Sequence, residues 1–296
     1  MKFYGRESEK KELGKLWTQA SNGAKLVVIT GRRRLGKTLL VKEFAKNHNY
    51  IYFFIEKKPE PLLCQDLISI LQEKIPLPVL GEITRFKDIF TLLLEYAKKE
   101  KIILIIDEFQ EFYSINPSVY SEIQNLWDAY KEASQMLLIT IGSVYSLMHK
   151  IFQNEKEPLF GRADRIIKLS PFPIQTLISI LEDYKITEEK DIFAFYVLTG
   201  GVPKYLELLL ENGVKSQTEI LEFMLTEFSP FLDEGRNLLT MEFGKEYGTY
   251  FAILQLMSEG KTSRPAIESI LGRTVGGYIE KLKETYNLID KIAPLG

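Results

Sequence analysis

The chain has 296 residues, 45% hydrophobic and 26% charged, with a net charge of −2. These values fit a globular chain of two or three domains with a substantial core. No apolar run approaches the ~18–20 residues needed to span a bilayer. Met1-Lys2-Phe3-Tyr4-Gly5-Arg6 leads into a charged helix and not into a signal peptide. The single Cys64 excludes an internal disulfide, and His48 and His149 are too few for a Cys/His metal cluster. The expected location is the cytoplasm, with no membrane partner.

In chain order, Leu13, Leu16, Trp17 and Ala20 have helical spacing, and Lys25-Leu26-Val27-Val28-Ile29-Thr30 reads as a buried strand. Gly31-Arg32-Arg33-Arg34-Leu35-Gly36-Lys37-Thr38 follows, a complete G-x-x-x-x-G-K-T loop, and the helical pattern of 39–45 comes next. Strand, Gly-rich turn and helix form the context in which this motif cradles phosphates. The glycines let backbone N–H groups curl around the anion, and the positive helix end faces it. Lys37 is placed to neutralise phosphate charge and the Thr38 hydroxyl to ligate Mg2+. The expected nucleotide-binding set is Gly31, Arg34, Leu35, Gly36, Lys37, Thr38 and Leu39. Arg32, Arg33 and Arg34 fill the loop's variable positions.

Residues 50–55 read as a second strand. Leu63, Leu67, Ile70 and Leu71, then Phe86, Ile89, Phe90, Leu93 and Leu94, read as helices around Cys64, a core filler. Lys101-Ile102-Ile103-Leu104-Ile105-Ile106 is a strand buried on both faces, which implies a parallel sheet covered by helices. Asp107 and Glu108 emerge at its carboxyl end, where open α/β sheets bind ligands. Asp107 is the expected magnesium partner with Thr38, and Glu108 is the group expected to hold and deprotonate an attacking water. A helix N-terminal acid is the alternative for Glu108. Residues 136–141 form a fourth strand ending at Gly142-Ser143. Ser143 is the candidate γ-phosphate sensor, with Thr140 as the alternative for that role and a helix N-cap as the alternative for Ser143. Residues 165–169 read as a fifth strand. Alternating strands and helices predict a parallel sheet of about five strands.

Residues 171–260 carry 6 Lys/Arg against 15 Asp/Glu, an acidic helical stretch that does not favour nucleic acid. Gly200-Gly201-Val202-Pro203 would end one helix and start the next. Helices are expected over 247–257, 265–271 and 274–286, then a strand over 288–292, the outline of a winged helix-turn-helix. Ser263, Arg264, Arg273, Thr274, Tyr278, Lys281 and Lys283 are the residues a DNA backbone would meet. Only 6 Lys/Arg oppose 4 Asp/Glu over 261–296, slight for DNA binding, so duplex DNA and a protein client both stand as partners.

Five landmarks resemble the prokaryotic, archaeal-type ATPases of the AAA+ and STAND group. They are Phe3-Tyr4-Gly5-Arg6-Glu7, Gly31 to Thr38, Ile106-Asp107-Glu108-Phe109-Gln110, Pro158-Leu159-Phe160-Gly161-Arg162, and Thr199-Gly200-Gly201-Val202-Pro203-Lys204-Tyr205. The resemblance implies a P-loop ATPase core over 1–170, an all-α lid over 171–244 and a winged-helix domain with an incomplete wing over 245–296. It implies ATP or ADP with Mg2+ as ligands, and hydrolysis that drives a conformational switch; the alternative is a nucleotide-gated scaffold with little hydrolysis. It puts Tyr4, Gly5 and Arg6 near the adenine and the lid corner, with Pro203 and Lys204, over the nucleotide. It makes Arg162 an arginine finger or sensor, often across a subunit boundary, which would require a homo-oligomer; an ion pair with Asp164 or another surface acid is the alternative. Many relatives continue into a nuclease-like region, and no nuclease activity is assigned to this chain. A GTPase is disfavoured because no N/T-K-x-D motif follows the core strands.

Overall fold

A computed structural model describes residues 2–75, 81–227, 229–232, 234, 237, 240, 243–286, 288–290 and 292. Its centre is a five-stranded parallel sheet of β1 (Lys25–Thr30), β2 (Tyr50–Phe54), β3 (Ile102–Asp107), β4 (Met136–Gly142) and β5 (Arg165–Lys168), in the order β2-β3-β4-β1-β5. The runs rich in β-branched and aliphatic residues form the strands, and β3 and β4 are buried throughout because helices cover both faces.

Alternate strand residues divide between those faces. Val27, Ile29, Ile103, Ile105, Leu137 and Ile139 pack with α1 (Glu7–Gln19) and α2 (Lys37–Ala45) through Leu13, Leu16, Leu40 and Val41. Leu26, Val28, Phe53, Leu104, Ile106 and Leu138 face the other layer. That layer holds α3 (Glu60–Lys74), α4 (Phe86–Ala97), the short α5 (Phe112–Ile115), α6 (Ser118–Tyr130) and α7 (Tyr145–Gln153). Cys64 is buried in this second core, and burial pushes its thiol up to about 12. β2, which follows β1 in sequence, takes one edge of the sheet, and β5 takes the other with Ile166 exposed.

A separate apolar cluster joins α8 (Ile174–Asp183), α9 (Glu189–Thr199), α10 (Pro203–Glu211) and α11 (Gln217–Leu225) through Leu177, Phe195, Leu206 and Ile220. Gly200 caps α9 in the left-handed conformation and Pro203 opens α10, as expected. The last cluster, around Tyr250, Ile253, Ile267, Val275 and Leu282, joins α12 (Tyr247–Ser258), α13 (Arg264–Leu271) and α14 (Gly276–Glu280). A π-helical turn, Lys281–Thr285, follows α14.

The strand expected over 288–292 is corrected. Leu288–Asp290 and Ile292 form no strand, and Lys291 lies outside the described residues. The Leu288 N–H instead donates to the Leu282 carbonyl, which folds the chain back so that Leu288 and Ile289 pack on the helical cluster. No helix among the described residues is long and apolar enough to cross a membrane.

Candidate functional site

The loop Gly31–Thr38 leaves the carboxyl end of β1 and enters α2 at Lys37, so the first-turn N–H groups of α2 are presented to the loop's interior. Gly31 has φ +146°, and a Cβ there would stand 2.7 Å from the Leu169 carbonyl oxygen. Only glycine lets the loop pass that close to the strand β5 exit. Gly36 caps α2 at φ +80°. Lys37 is buried, and its Nζ donates to the Gly31 and Arg32 carbonyls at 2.7 and 2.9 Å. The ammonium therefore sits inside the curl of the loop.

Asp107 meets the loop directly. The Thr38 hydroxyl donates to its Oδ2 at 2.6 Å, the Tyr52 hydroxyl donates to the same oxygen at 2.8 Å, and the Glu108 N–H donates to Oδ1 at 2.9 Å. Glu108 stands in the left-handed region at φ +54° as the chain turns out of β3. Its carboxylate is held by Ser143, whose Oγ lies 2.6 Å from both oxygens, and by the Gln110 amide. Of the two sensor candidates, Ser143 is thus beside Glu108. Thr140 is buried within β4 with its hydroxyl toward the Val27 carbonyl.

Arg34 turns away from the loop toward the helical layer. It has φ +69°, and its guanidinium forms a two-pronged pair with Glu234: Nε to Oε1 at 2.5 Å and Nη2 to Oε2 at 2.7 Å. The Tyr205 hydroxyl donates to the same carboxylate at 2.7 Å. The Lys204 N–H reaches the Arg34 carbonyl at 3.4 Å, while its ammonium pairs with Glu207. Pro203 is buried at this corner. The Leu35 side chain packs in the core, whereas Leu39 is 56% exposed.

The N-terminal triplet divides. Tyr4 donates to Asp183 at 2.9 Å, and burial followed by Asp183 pushes its phenol up to about 12. Gly5 packs near Thr176 and Phe172. Arg6 donates to the carbonyls of Leu35 at 3.2 Å and Ser170 at 2.8 Å and lies over the Phe172 ring. Its side chain is 7% exposed, and burial, partly offset by Glu9, pulls its pKa down.

Arg162 is not brought to this loop. It pairs with Asp128, and not with Asp164, and donates to the Pro158 and Phe160 carbonyls. It lines a pocket of about 240 Å³ with Asn22, Lys25, Trp127 and Lys131, at the amino end of β1. The loop begins at the other end of that strand, roughly 15–20 Å away at ~3.3 Å per residue. In the C-terminal helices, Arg264 pairs with Glu268, and Arg273 donates to Thr249 and Tyr278.

Tyr52, Gln110 and Glu234 were not singled out by the sequence. Gln110 lies in the stretch Ile106-Asp107-Glu108-Phe109-Gln110, where nothing local gives it a role. Tyr52 read as one more strand aromatic, and Glu234 carried no local signal.

A buried parallel sheet, a phosphate loop opening a helix, and an Asp-Glu pair at the exit of β3, one strand removed from β1, define a P-loop NTPase. The chain belongs to the family of ATPase domains found predominantly in Archaea, whose family model matches residues 3–209. It is therefore a P-loop ATPase domain. An uncharacterized protein of Methanocaldococcus jannaschii is 28% identical over 91% of this chain and 57% of its own length. Two solved structures share the fold. A Walker-type ATPase of Pyrococcus abyssi has a TM-score of 0.73 at 17% identity, over 98% of this chain and 91% of that one. The ORC2 protein of Aeropyrum pernix, solved in ADPNP-ADP complexes, has 0.57 at 14% identity, over 100% and 83%. The chain spans about half the length of the curated relatives it matches.

Proposed function

We propose that the chain is a Mg2+-dependent ATPase that works as a nucleotide-driven switch. It would be built as a core over 1–170, a helical lid over 171–244 and a winged-helix-like segment over 245–296. The observation that carries this is the 2.6 Å contact between Thr38 and Asp107, with Glu108 the next residue and Ser143 holding it. Thr38 and Asp107 are adjacent hard oxygen donors of the kind a magnesium ion takes. When bound, that ion would neutralise charge on the β- and γ-phosphates.

The chain's own residues account for the rest. The loop N–H groups and the α2 end bind the phosphates. Lys37 exchanges its loop carbonyls for phosphate oxygens. Glu108 orients a water and takes its proton, while Ser143 and Gln110 fix its carboxylate. Leu39 and the segment Tyr4 to Arg6 border the base, and Pro203 closes the lid corner. Arg34 offers the switch a lever, because phosphate charge competes with Glu234 for its guanidinium. The position of Arg162 at the far end of β1 favours a finger acting on a second copy over one acting on its own nucleotide.

The test is steady-state ATP hydrolysis and nucleotide affinity for the wild type, Lys37→Ala and Glu108→Gln, each with and without duplex DNA. Lys37→Ala should lose nucleotide affinity, and Glu108→Gln should bind ATP but lose turnover. Unchanged affinity in Lys37→Ala refutes the site. Stimulation by DNA gives the C-terminal helices a DNA-binding role, and indifference points them to a protein client. A wild type that binds without hydrolysing is the gated scaffold.

A further inference from the structure

We infer that Tyr52 is a positioning residue for Asp107, selecting the one carboxylate orientation in which Asp107 and Thr38 present themselves together to a divalent cation. This rests on the reading of Asp107 and Thr38 as the magnesium side of the site. The argument begins with hydrogen-bond capacity. An ionised carboxylate offers about four acceptor positions. Oδ2 accepts from both Thr38 and Tyr52, and Oδ1 accepts from the Glu108 N–H. Among the described residues this leaves one acceptor position, and it is on Oδ1. The Thr38 hydroxyl has a single proton, committed to Asp107, so only its lone pairs face outward.

Tyr52 reaches this spot because of the strand order. β2 pairs with β3 so that Tyr52 stands opposite Ile105, two residues before Asp107 on the same face of the sheet. Its hydroxyl then extends along that face to the carboxylate. The ring is covered by the Lys42 ammonium, 4.1 Å from its centroid. Lys42 lies one helical turn beyond Thr38 on α2, so one helix supplies both the hydroxyl at the carboxylate and the cation that packs the tyrosine.

Without the hydroxyl, each carboxylate oxygen keeps one donor. The Asp χ2 torsion is broad and roughly two-fold, so the carboxylate would no longer be confined to one orientation. The cost falls on cation binding, since the phosphate loop and Lys37 are untouched.

The experiment is binding of a fluorescent ATP analogue, first in EDTA and then across a magnesium titration, for the wild type, Tyr52→Phe and Asp107→Asn. Tyr52→Phe should match the wild type in EDTA and need roughly 12- to 150-fold more magnesium for half-maximal enhancement, the equivalent of one hydrogen bond to a charged group. An unchanged magnesium requirement in Tyr52→Phe, with a raised one in Asp107→Asn, overturns the role of Tyr52 alone. If Asp107→Asn also leaves the requirement unmoved, the magnesium reading itself falls and takes this inference with it. Weaker binding of Tyr52→Phe in EDTA would make the tyrosine a support of the fold and would also overturn the inference.

Discussion

Arg6→Ala separates two roles that one residue could hold. The guanidinium ties the N-terminal segment to the phosphate loop at Leu35 and to the exit of β5 at Ser170, at 3.2 and 2.8 Å, and it covers Phe172. Each hydrogen bond from a charged donor is worth about 1.5–3 kcal/mol, and the cation–π contact about 0.5–2 kcal/mol. Against these stands the cost of burying the charge, which the variant no longer bears. A net loss of about 3 kcal/mol follows, because the Leu35 carbonyl and Glu9 lose their charged donor at part-buried sites and the Ser170 carbonyl loses its own. For a domain of this size that lowers the melting temperature by about 6–12 °C. Arg6→Lys should recover little, since an ammonium lacks the planar fork that spans two carbonyls. Thermal unfolding without nucleotide, read beside ATP affinity, is the assay. A melting temperature within about 1 °C of wild type, with nucleotide affinity lost, would refute the reasoning and make Arg6 a base contact and not a tie.

Two other perturbations test the lid and the distal arginine. Gly201 has φ +69°, a Cβ there would lie 2.4 Å from the Phe172 carbonyl oxygen, and its own carbonyl accepts the Phe172 N–H at 2.8 Å. Gly201→Ala should therefore speed amide exchange in α8 to α11 and leave β1, β3 and β4 protected; unchanged exchange in the lid would show that this strap does not hold it. Arg162→Ala should keep nucleotide affinity and lower turnover by roughly 10³–10⁵ if it completes a neighbour's site. Mixing it with Lys37→Ala should then restore part of the activity, and a mixture no more active than its parts would refute action in trans.

The parts of this protein legible in the sequence are those written in short stretches of chain. The unbroken apolar runs 26–29 and 102–106 mark strands buried on both faces, and helices do cover both. The phosphate loop is equally local, its glycines and lysine all within one turn. What the sequence hid depends on which strands and helices become neighbours. β2 at the sheet edge beside β3 is a property of strand order, and only that order turns Tyr52 from a core aromatic into a partner of Asp107. The Arg34–Glu234 pair joins positions 200 residues apart. Arg162 had Asp164 two residues away as its obvious partner, but Asp164 is engaged by the Leu26 N–H and by Lys25, which leaves Asp128 of α6 to take the guanidinium. The expected strand near the C-terminus failed for a related reason. A strand is defined by its partner, and the Leu288 N–H found the Leu282 carbonyl at the end of its own helix instead. The candidate site joins both kinds of information: motif residues fix which chemistry is available, and the packing of β2, α2 and the lid decides how firmly Asp107, Arg34 and Arg6 are held while it happens.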